Sequence, residues 1–204
     1  MFQERLARSE RVAAAENLDL TKIYSILAET YQTNFVRTHT LRNAATSLVL
    51  IDLVDTYLYS STFAYSGIHG GETWDSATAD PILLPLLSTD AFKMVSSNAS
   101  QTRMDKTLAY LDAPLHLEEL DICTASQPGR FQNCGCCGKC GRFLLVAEAR
   151  GELAKYAKIF DLEAVKSHRW KNVKRMVKWS FHRNFNPNDL DHLRYLKQKT
   201  PTCL

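Results

Sequence analysis

Five of the six cysteines in this 204-residue chain lie within one short stretch. Four of them are spaced C-x10-C-x2-C-x2-C, and the glycines between them allow the backbone to turn tightly around a small ion. Tetrahedral zinc binds four thiolates about 4 Å from one another, and two overlapping C-x2-C turns with one distant cysteine supply such a set. The predicted ligands of a structural zinc ion are Cys123, Cys134, Cys137 and Cys140.

The fifth cysteine of the stretch, Cys136, adjoins Cys137, so its side chain is expected to point away from a metal that Cys137 binds. A register in which Cys136 replaces Cys137 remains open. A pair of disulfides is the alternative to a metal, but clustered vicinal cysteines would strain such bridges. The chain also shows no secretory signal, which favours reduced thiols and therefore zinc.

Outside the cysteine stretch, the candidate binding or catalytic residues are two basic residues and one isolated histidine. Arg103 and Lys106 are three positions apart in a segment that is predicted to be helical, so they share one face of the helix. That face either binds a phosphate or pyrophosphate or is a solvated face of an amphipathic helix. The loop 62–79 is rich in Gly, Ser and Thr, and is either a substrate lid or a surface connection. His69 lies in it, but a general base needs an orienting group, and the sequence shows none.

The carboxyl-terminal segment has a distinct charge pattern. Between Lys166 and Arg183 there are seven Lys or Arg residues and no acidic residue. Apolar residues at helical spacing predict a helix that packs one face and leaves the other positive. That positive face either contacts phosphates or is simply solvated. The apolar stripe comprises Trp170, Val173, Val177 and Phe181, and the candidate phosphate contacts are Lys171, Lys174, Arg175 and Lys178.

Hydrophobic periodicity places these residues on alternating helices and strands. Predicted helices cover 6–15, 26–34, 40–54, 100–111, 140–151 and the basic tail, and predicted strands cover 18–24, 56–61 and 91–97. This alternation is typical of a Rossmann-like parallel α/β sheet, whose ligands bind beyond the carboxyl ends of the strands. Ser60 and Ser61 are expected at that edge.

Composition is that of an ordinary globular protein, with 45% hydrophobic and 23% charged residues and a net charge of +3. At this length, one core with an appended tail is expected. No apolar run is long enough to span a bilayer, and the amino end is too charged for a secretory signal. The sequence therefore predicts a cytoplasmic protein that does not enter a membrane.

Three sequence motifs resemble one known family. They are N-C-G-x-C-x-K-C-x-R in the cysteine stretch, D-P-I-L-L-P-L-L-S-T-D at 80–90, and L-E-E-L-D-I-C at 117–123. In this order they resemble 7-cyano-7-deazaguanine synthase-like proteins of the PP-loop ATP pyrophosphatase (HUP) superfamily, over roughly residues 5–165.

The resemblance implies an incomplete HUP-type α/β domain at 1–122, a four-cysteine zinc module at 123–160 and a basic helical tail at 161–204. It also implies that Arg103 and Lys106 lie near the reaction site. The full set of predicted nucleotide or substrate contacts is Ser60, Ser61, Tyr65, Asp90, Arg103 and Lys106.

The phosphate-binding loop of that superfamily, S-G-G-x-D-S after a strand, has no counterpart here. The string G-G-E-T-W-D-S at 70–76 has the wrong spacing and follows a loop. The chain also has Asp80 where the family has histidine, Leu84 where it has an acidic residue, and Cys136 where it has a basic or polar residue. These departures weaken a catalytic interpretation of the isolated chain.

Two hypotheses follow. In the first, the chain is one subunit of an ATP-dependent ligase-like or synthase-like enzyme that adenylates its substrate for amide- or nitrile-forming chemistry. A second polypeptide then supplies the phosphate loop, and ATP and Mg²⁺ bind only to the assembly. In the second, the chain is a non-catalytic zinc scaffold that binds a protein or nucleic acid. A homodimer would cover the open sheet edge without restoring catalysis.

Overall fold

A computed structural model of the chain describes residues 2–68, 75–123, 132–181 and 187–199. His69, Trp74, Arg183 and Cys203 lie outside the described residues. The chain divides into two compact units, which we call the sheet unit (22–103) and the cysteine unit (1–21 with 104–204). The domain boundaries that the resemblance implies at 122 and 160 stay predictions.

The elements follow the predicted alternation in most places. The helices are α1 (Phe2–Ala15), α2 (Leu27–Tyr31), α3 (Phe35–Ser47), α4 (Asp80–Leu86), α5 (Arg103–Asp112), α6 (Gly138–Ala149), α7 (Leu162–Ser180) and α8 (Pro187–Lys199). The strands are β1 (Thr56–Ser60) and β2 (Lys93–Ser97), and short 3-10 turns include Leu48–Leu50 and Ser76–Ala79. The predictions of strands near 56–61 and 91–97 are confirmed, and so is the α/β class.

The sheet unit is built on one pair of parallel strands. Thr56 pairs with Lys93 and Ser60 with Ser97, so the carboxyl ends of β1 and β2 lie at the same edge. One face of this sheet packs on α3 and α4. The buried core on that face consists of Ala44, Leu84, Phe92 and Met94, with Tyr57 and Tyr59 packed against it.

The other face of the pair is open. Leu58 and Val95 are register partners, and their side chains are 63% and 41% exposed. Because helices normally cover both faces of a parallel sheet, an exposed apolar face is unusual. Among the described residues no third strand pairs with either β1 or β2, although the Ser88 hydroxyl accepts a hydrogen bond from the Met94 N–H of β2 at 2.9 Å.

The cysteine unit has a larger core, in which α6 is central. Phe143 of α6 stacks on Phe160 at 5.8 Å and meets Tyr156 edge-on at 5.0 Å between ring centroids. The helices α6, α7 and α8 pack against one another. At the opposite end of the chain, α1 is attached to the segment before the cysteines by an ion pair of 2.7 Å between Arg8 and Asp121.

Three sequence-based expectations are wrong. The predicted end of the first helix at residue 15 is correct, and Asn17, with a φ of 54°, lies just beyond it. The segment 18–24, however, is neither helix nor strand, because within the described chain no strand lies beside it. The helix predicted over 40–54 spans 35–47, and Leu53, inside the predicted range, lies exposed beyond the end of the helix.

The third wrong expectation concerns the packing face of α7. Of its predicted apolar stripe, Val173 is buried, but Trp170, Val177 and Phe181 are exposed. The packed face instead lies around Val165 and Met176, about a third of a turn away.

Among the described helices none has the length and apolar character needed to cross a membrane.

Candidate metal centre

The four cysteines predicted as ligands converge in the structure. The Sγ atoms of Cys123, Cys134, Cys137 and Cys140 all lie within 4.8 Å of one another. The Sγ atoms of Cys137 and Cys140 are 3.4 Å apart, while those of Cys134 and Cys140 are 4.0 Å apart. All five described cysteines are free thiols, so no disulfide joins any of them. This group of four thiols could hold a metal ion.

Asn133 positions the two halves of the cluster relative to each other. Its buried side-chain oxygen accepts hydrogen bonds from the backbone N–H groups of Ile122 and Cys123, at 3.0 and 3.1 Å. Its amide nitrogen donates to the Leu120 carbonyl at 2.7 Å. The distant cysteine is thereby held beside the C-x2-C turns. Asn133 was quoted in the family motif, but sequence reasoning gave it no role, because its partners lie 10 to 13 residues away.

The turn between the first two clustered cysteines depends on glycine. Gly135 has a φ of 70°, and a Cβ there would lie 2.7 Å from the Asp161 carbonyl oxygen. The turn directs the Cys137 backbone N–H at the Cys134 sulfur, at 3.3 Å. Such N–H donors stabilise a thiolate, which is the form that binds a metal.

Crowding of the thiols opposes their ionisation while no cation is bound. A hydrogen bond with Cys137, burial and the neighbouring thiols all raise the pKa of the Cys140 thiol. A bound divalent cation reverses this effect, because it neutralises the thiolates and favours their deprotonation.

Cys136 lies beside the group of four but outside it. Its thiol donates a hydrogen bond to the Cys134 sulfur, with the two Sγ atoms 3.6 Å apart. Burial is the main cause that raises the pKa of the Cys136 thiol, and this hydrogen bond raises it further. The structure thus groups Cys137 rather than Cys136 with the other three cysteines.

Cys136→Ser is therefore expected to retain the metal. Serine keeps the size of the side chain and removes no sulfur from the group of four, so metal content and thermal stability should remain close to those of the wild type. Metal analysis of the purified variant measures this. Loss of the metal would show that Cys136 is a ligand.

The predicted nucleotide-site residues divide between the two ends of the sheet. Ser60 and Ser61 follow β1 at its carboxyl end, where the Arg103 guanidinium approaches the Thr62 carbonyl at 3.4 Å. Tyr65 is also near this end, since its N–H donates to the Ala99 carbonyl just after β2. Lys106 follows Arg103 by three residues within α5.

Asp90 does not join this group. It precedes the amino end of β2, in a turn closed by backbone hydrogen bonds between Thr89 and Phe92, and its side chain is exposed. Since the strands are parallel, Asp90 lies at the end of the sheet opposite Ser60.

A buried polar cluster in the sheet unit had no signal in the sequence. Thr40 of α3 donates to the Asp80 carboxylate at 2.7 Å and lies 3.0 Å from the Ser76 hydroxyl, which lies 3.3 Å from His39 Nδ1. Burial raises the pKa of Asp80 to about 6, although the Thr40 hydrogen bond and the charge of His39 lower it. The second Asp80 oxygen has no hydrogen-bond partner among the described residues.

Asp80→Asn is expected to change the pH dependence of stability. The folded-state pKa lies above the ordinary value of 3.8, so the folded state keeps a proton that the unfolded chain releases. The free energy of unfolding therefore falls as the pH rises from about 4 to about 6. The amide cannot ionise, so the variant does not share this loss. The difference in free energy of unfolding between variant and wild type should therefore shift in favour of the variant, by on the order of 1–3 kcal/mol, from pH 4 to pH 7.

Urea titrations at the two pH values measure this gain. Asp90→Asn makes the same substitution at an exposed carboxylate of the sheet unit and is the matched control. A pH-independent difference for Asp80→Asn would show that Asp80 does not titrate in this range.

The basic residues predicted to contact phosphate also divide into two groups. Lys171, Lys174 and Lys178 are exposed on α7. Arg175 donates to the Asn172 side chain at 2.7 Å, and its guanidinium packs over Gly138 at the start of α6. Arg175 therefore contributes to the contact between α7 and the cysteine turns.

The arrangement thus contains a compact group of four thiols, a basic residue near the carboxyl edge of a small parallel sheet, and an exposed row of lysines. Comparisons with protein-family models, with curated proteins and with solved structures found no match.

Proposed function

We propose that the thiol cluster binds one zinc ion with a structural role. Four thiolates around zinc at about 2.3 Å are separated by about 3.8 Å from one another, close to the distances in the cluster. An all-sulfur donor set favours zinc over harder cations such as Mg²⁺ or Ca²⁺. Four protein ligands leave no position for substrate, so the metal holds the fold rather than performing chemistry.

We further propose that the chain is a 7-cyano-7-deazaguanine synthase-like subunit of an ATP-dependent enzyme. The order of elements supports this: a strand ending in Ser60, a helix over the D-P-I-L-L-P-L-L segment, a second parallel strand, a helix with Arg103, and then the cysteine turns. Arg103 lies near the carboxyl end of β1, where ligands of parallel α/β sheets bind. A guanidinium there suits a phosphate group of ATP.

The observation that carries this proposal is the open sheet. The two parallel strands are covered by α3 and α4 on one face, but the other face, through Leu58 and Val95, lacks the cover that a parallel sheet normally has. The sequence also lacks the phosphate loop that follows the first strand of such enzymes. A second polypeptide with strands and the S-G-G-x-D-S loop would supply both, and ATP with Mg²⁺ would then bind at the shared edge.

The chain alone is expected not to bind ATP tightly. The sequence contains no S-G-G-x-D-S loop, whose backbone N–H groups would surround the pyrophosphate. Calorimetry of the purified chain with ATP and Mg²⁺ should show no binding at micromolar concentrations. A sub-micromolar dissociation constant would contradict the split-enzyme proposal.

The partner is tested by affinity purification of the tagged chain from its native cells. Mass spectrometry should identify a co-purifying polypeptide that contains S-G-G-x-D-S, and Leu58→Asp should release it. Leu115→Asp introduces the same charge at an exposed leucine of the cysteine unit and serves as the control. A chain that purifies as a monomer or homodimer without such a partner would favour the scaffold hypothesis.

A further inference from the structure

The exposed side of α7 carries a row of large apolar side chains. Trp170 is 57% exposed, Val177 is 41% exposed and Phe181, at the carboxyl end of the helix, is 84% exposed. Val177 and Phe181 follow Trp170 by about two and three helical turns, spacings that bring side chains back to nearly the same direction on a helix. The row runs about 16 Å along the helix. We call it, with its flanking lysines, the outer face of α7.

The fold does not require this row. The helix is anchored by another side, about a third of a turn away, where Val165 and Met176 are buried. The indole of Trp170 is nevertheless held in position, because the Arg169 guanidinium lies 5.1 Å from its ring centroid and pairs with Glu148 at 3.0 Å. An aromatic ring that is both oriented and exposed is suited to stacking on a planar ligand.

Three lysines border the row on one side. Lys171, Lys174 and Lys178 are exposed, and none of them forms an ion pair with any residue that the structure describes. Lys166, by contrast, pairs with Glu163 at 3.3 Å. There is no acidic residue between 164 and 181, so the field of these lysines is not locally cancelled. Successive lysines lie about 5–6 Å apart along the helix axis.

We propose that the outer face of α7 binds single-stranded nucleic acid, with bases stacking on Trp170 and Phe181 and phosphates contacting Lys171, Lys174 and Lys178. Proteins that bind single strands without sequence preference combine these two features, a line of positive charge and aromatic platforms. This proposal does not depend on the enzyme proposed above.

The composition of the face disfavours a membrane surface. An interfacial helix presents a continuous apolar face, with its lysines confined to the polar side. Here the apolar row is a single line of three separate side chains, and Lys174 borders it within about 40° of the line that joins Trp170 and Phe181. Planar and charged groups side by side along the helix suit a ligand in which bases and phosphates alternate, as they do in a nucleic-acid strand.

The test uses the full chain and a fluorescein-labelled oligodeoxythymidine of about 12 nucleotides, the length that a site of this class covers. Fluorescence anisotropy should show binding that weakens with salt. Three phosphate contacts predict a slope of about −2 for log K against log salt concentration. The triple variant Lys171→Glu/Lys174→Glu/Lys178→Glu should lose binding. Trp170→Ala should weaken it by roughly 5- to 100-fold, and Trp170→Phe should restore most of it.

The control variant is Lys93→Glu/Lys197→Glu/Lys199→Glu. It makes the same charge change at exposed lysines outside α7 and should weaken binding far less. All the substituted side chains are exposed, so circular dichroism should report a wild-type fold in every variant. Absence of binding, an equal loss in both triple variants, or full affinity in Trp170→Ala would overturn the proposal. So would binding to phosphatidylserine vesicles without binding to the oligonucleotide.

Discussion

Cys140→Ser is expected to lose the bound metal and to unfold the cysteine unit. Cys140 is fully buried in the first turn of α6, which carries the central core residue Phe143. A structural zinc site contributes on the order of 10 kcal/mol, comparable to the whole stability of a domain. Metal analysis should find no zinc in the variant, and circular dichroism should show loss of helix relative to wild type.

Cys203→Ser provides the matched control, because it removes a thiol outside the cysteine stretch. It should retain both zinc and helical content. If Cys140→Ser were metal-free but still folded with wild-type stability, the metal would not be holding the unit together. The core of α6 would then have to be sufficient by itself.

Arg142→Ala is expected to destabilise the cysteine unit by about 3–5 kcal/mol. Arg142 of α6 donates two hydrogen bonds to Asp189 of α8, at 2.6 and 3.2 Å. Asp189 is buried, so removing the guanidinium leaves a carboxylate without its counter-charge in a region of low dielectric. Chemical denaturation of the zinc-loaded protein measures the loss.

Two further variants separate the charge from the side-chain packing. Arg142→Met/Asp189→Leu replaces both partners with apolar groups and should recover most of the lost stability. Asp112→Ala breaks the exposed pair with Arg150 and should change stability little, since water screens that pair. If Arg142→Ala and Asp112→Ala had equal effects, the buried pair would have no special role.

Local patterns predicted the cysteine group well. Three of the cysteines lie within seven residues of one another, so the chain has few ways to place their sulfur atoms apart. The contribution of Asn133 could not be derived in this way. Its hydrogen bonds join segments that the sequence separates, and an asparagine in a glycine-rich stretch is equally typical of a turn.

The same limit explains the other differences. The alternation at 18–24 indicates a strand, but a strand forms only where a neighbour can pair with it. The stripe through Trp170 has helical spacing, but spacing does not say which of two apolar stripes faces the core. In the structure the stripe with Val165 and Met176 faces the core. The hydrogen bond between Thr40 and Asp80 joins residues 40 positions apart, so no local sequence pattern could predict it.

X-ray absorption at the zinc edge of the purified chain tests the central claim most directly. The proposal that Cys123, Cys134, Cys137 and Cys140 bind structural zinc predicts one zinc per chain, with four sulfur neighbours at about 2.3 Å. A spectrum with nitrogen or oxygen ligands, or a fully folded chain without zinc, would contradict it.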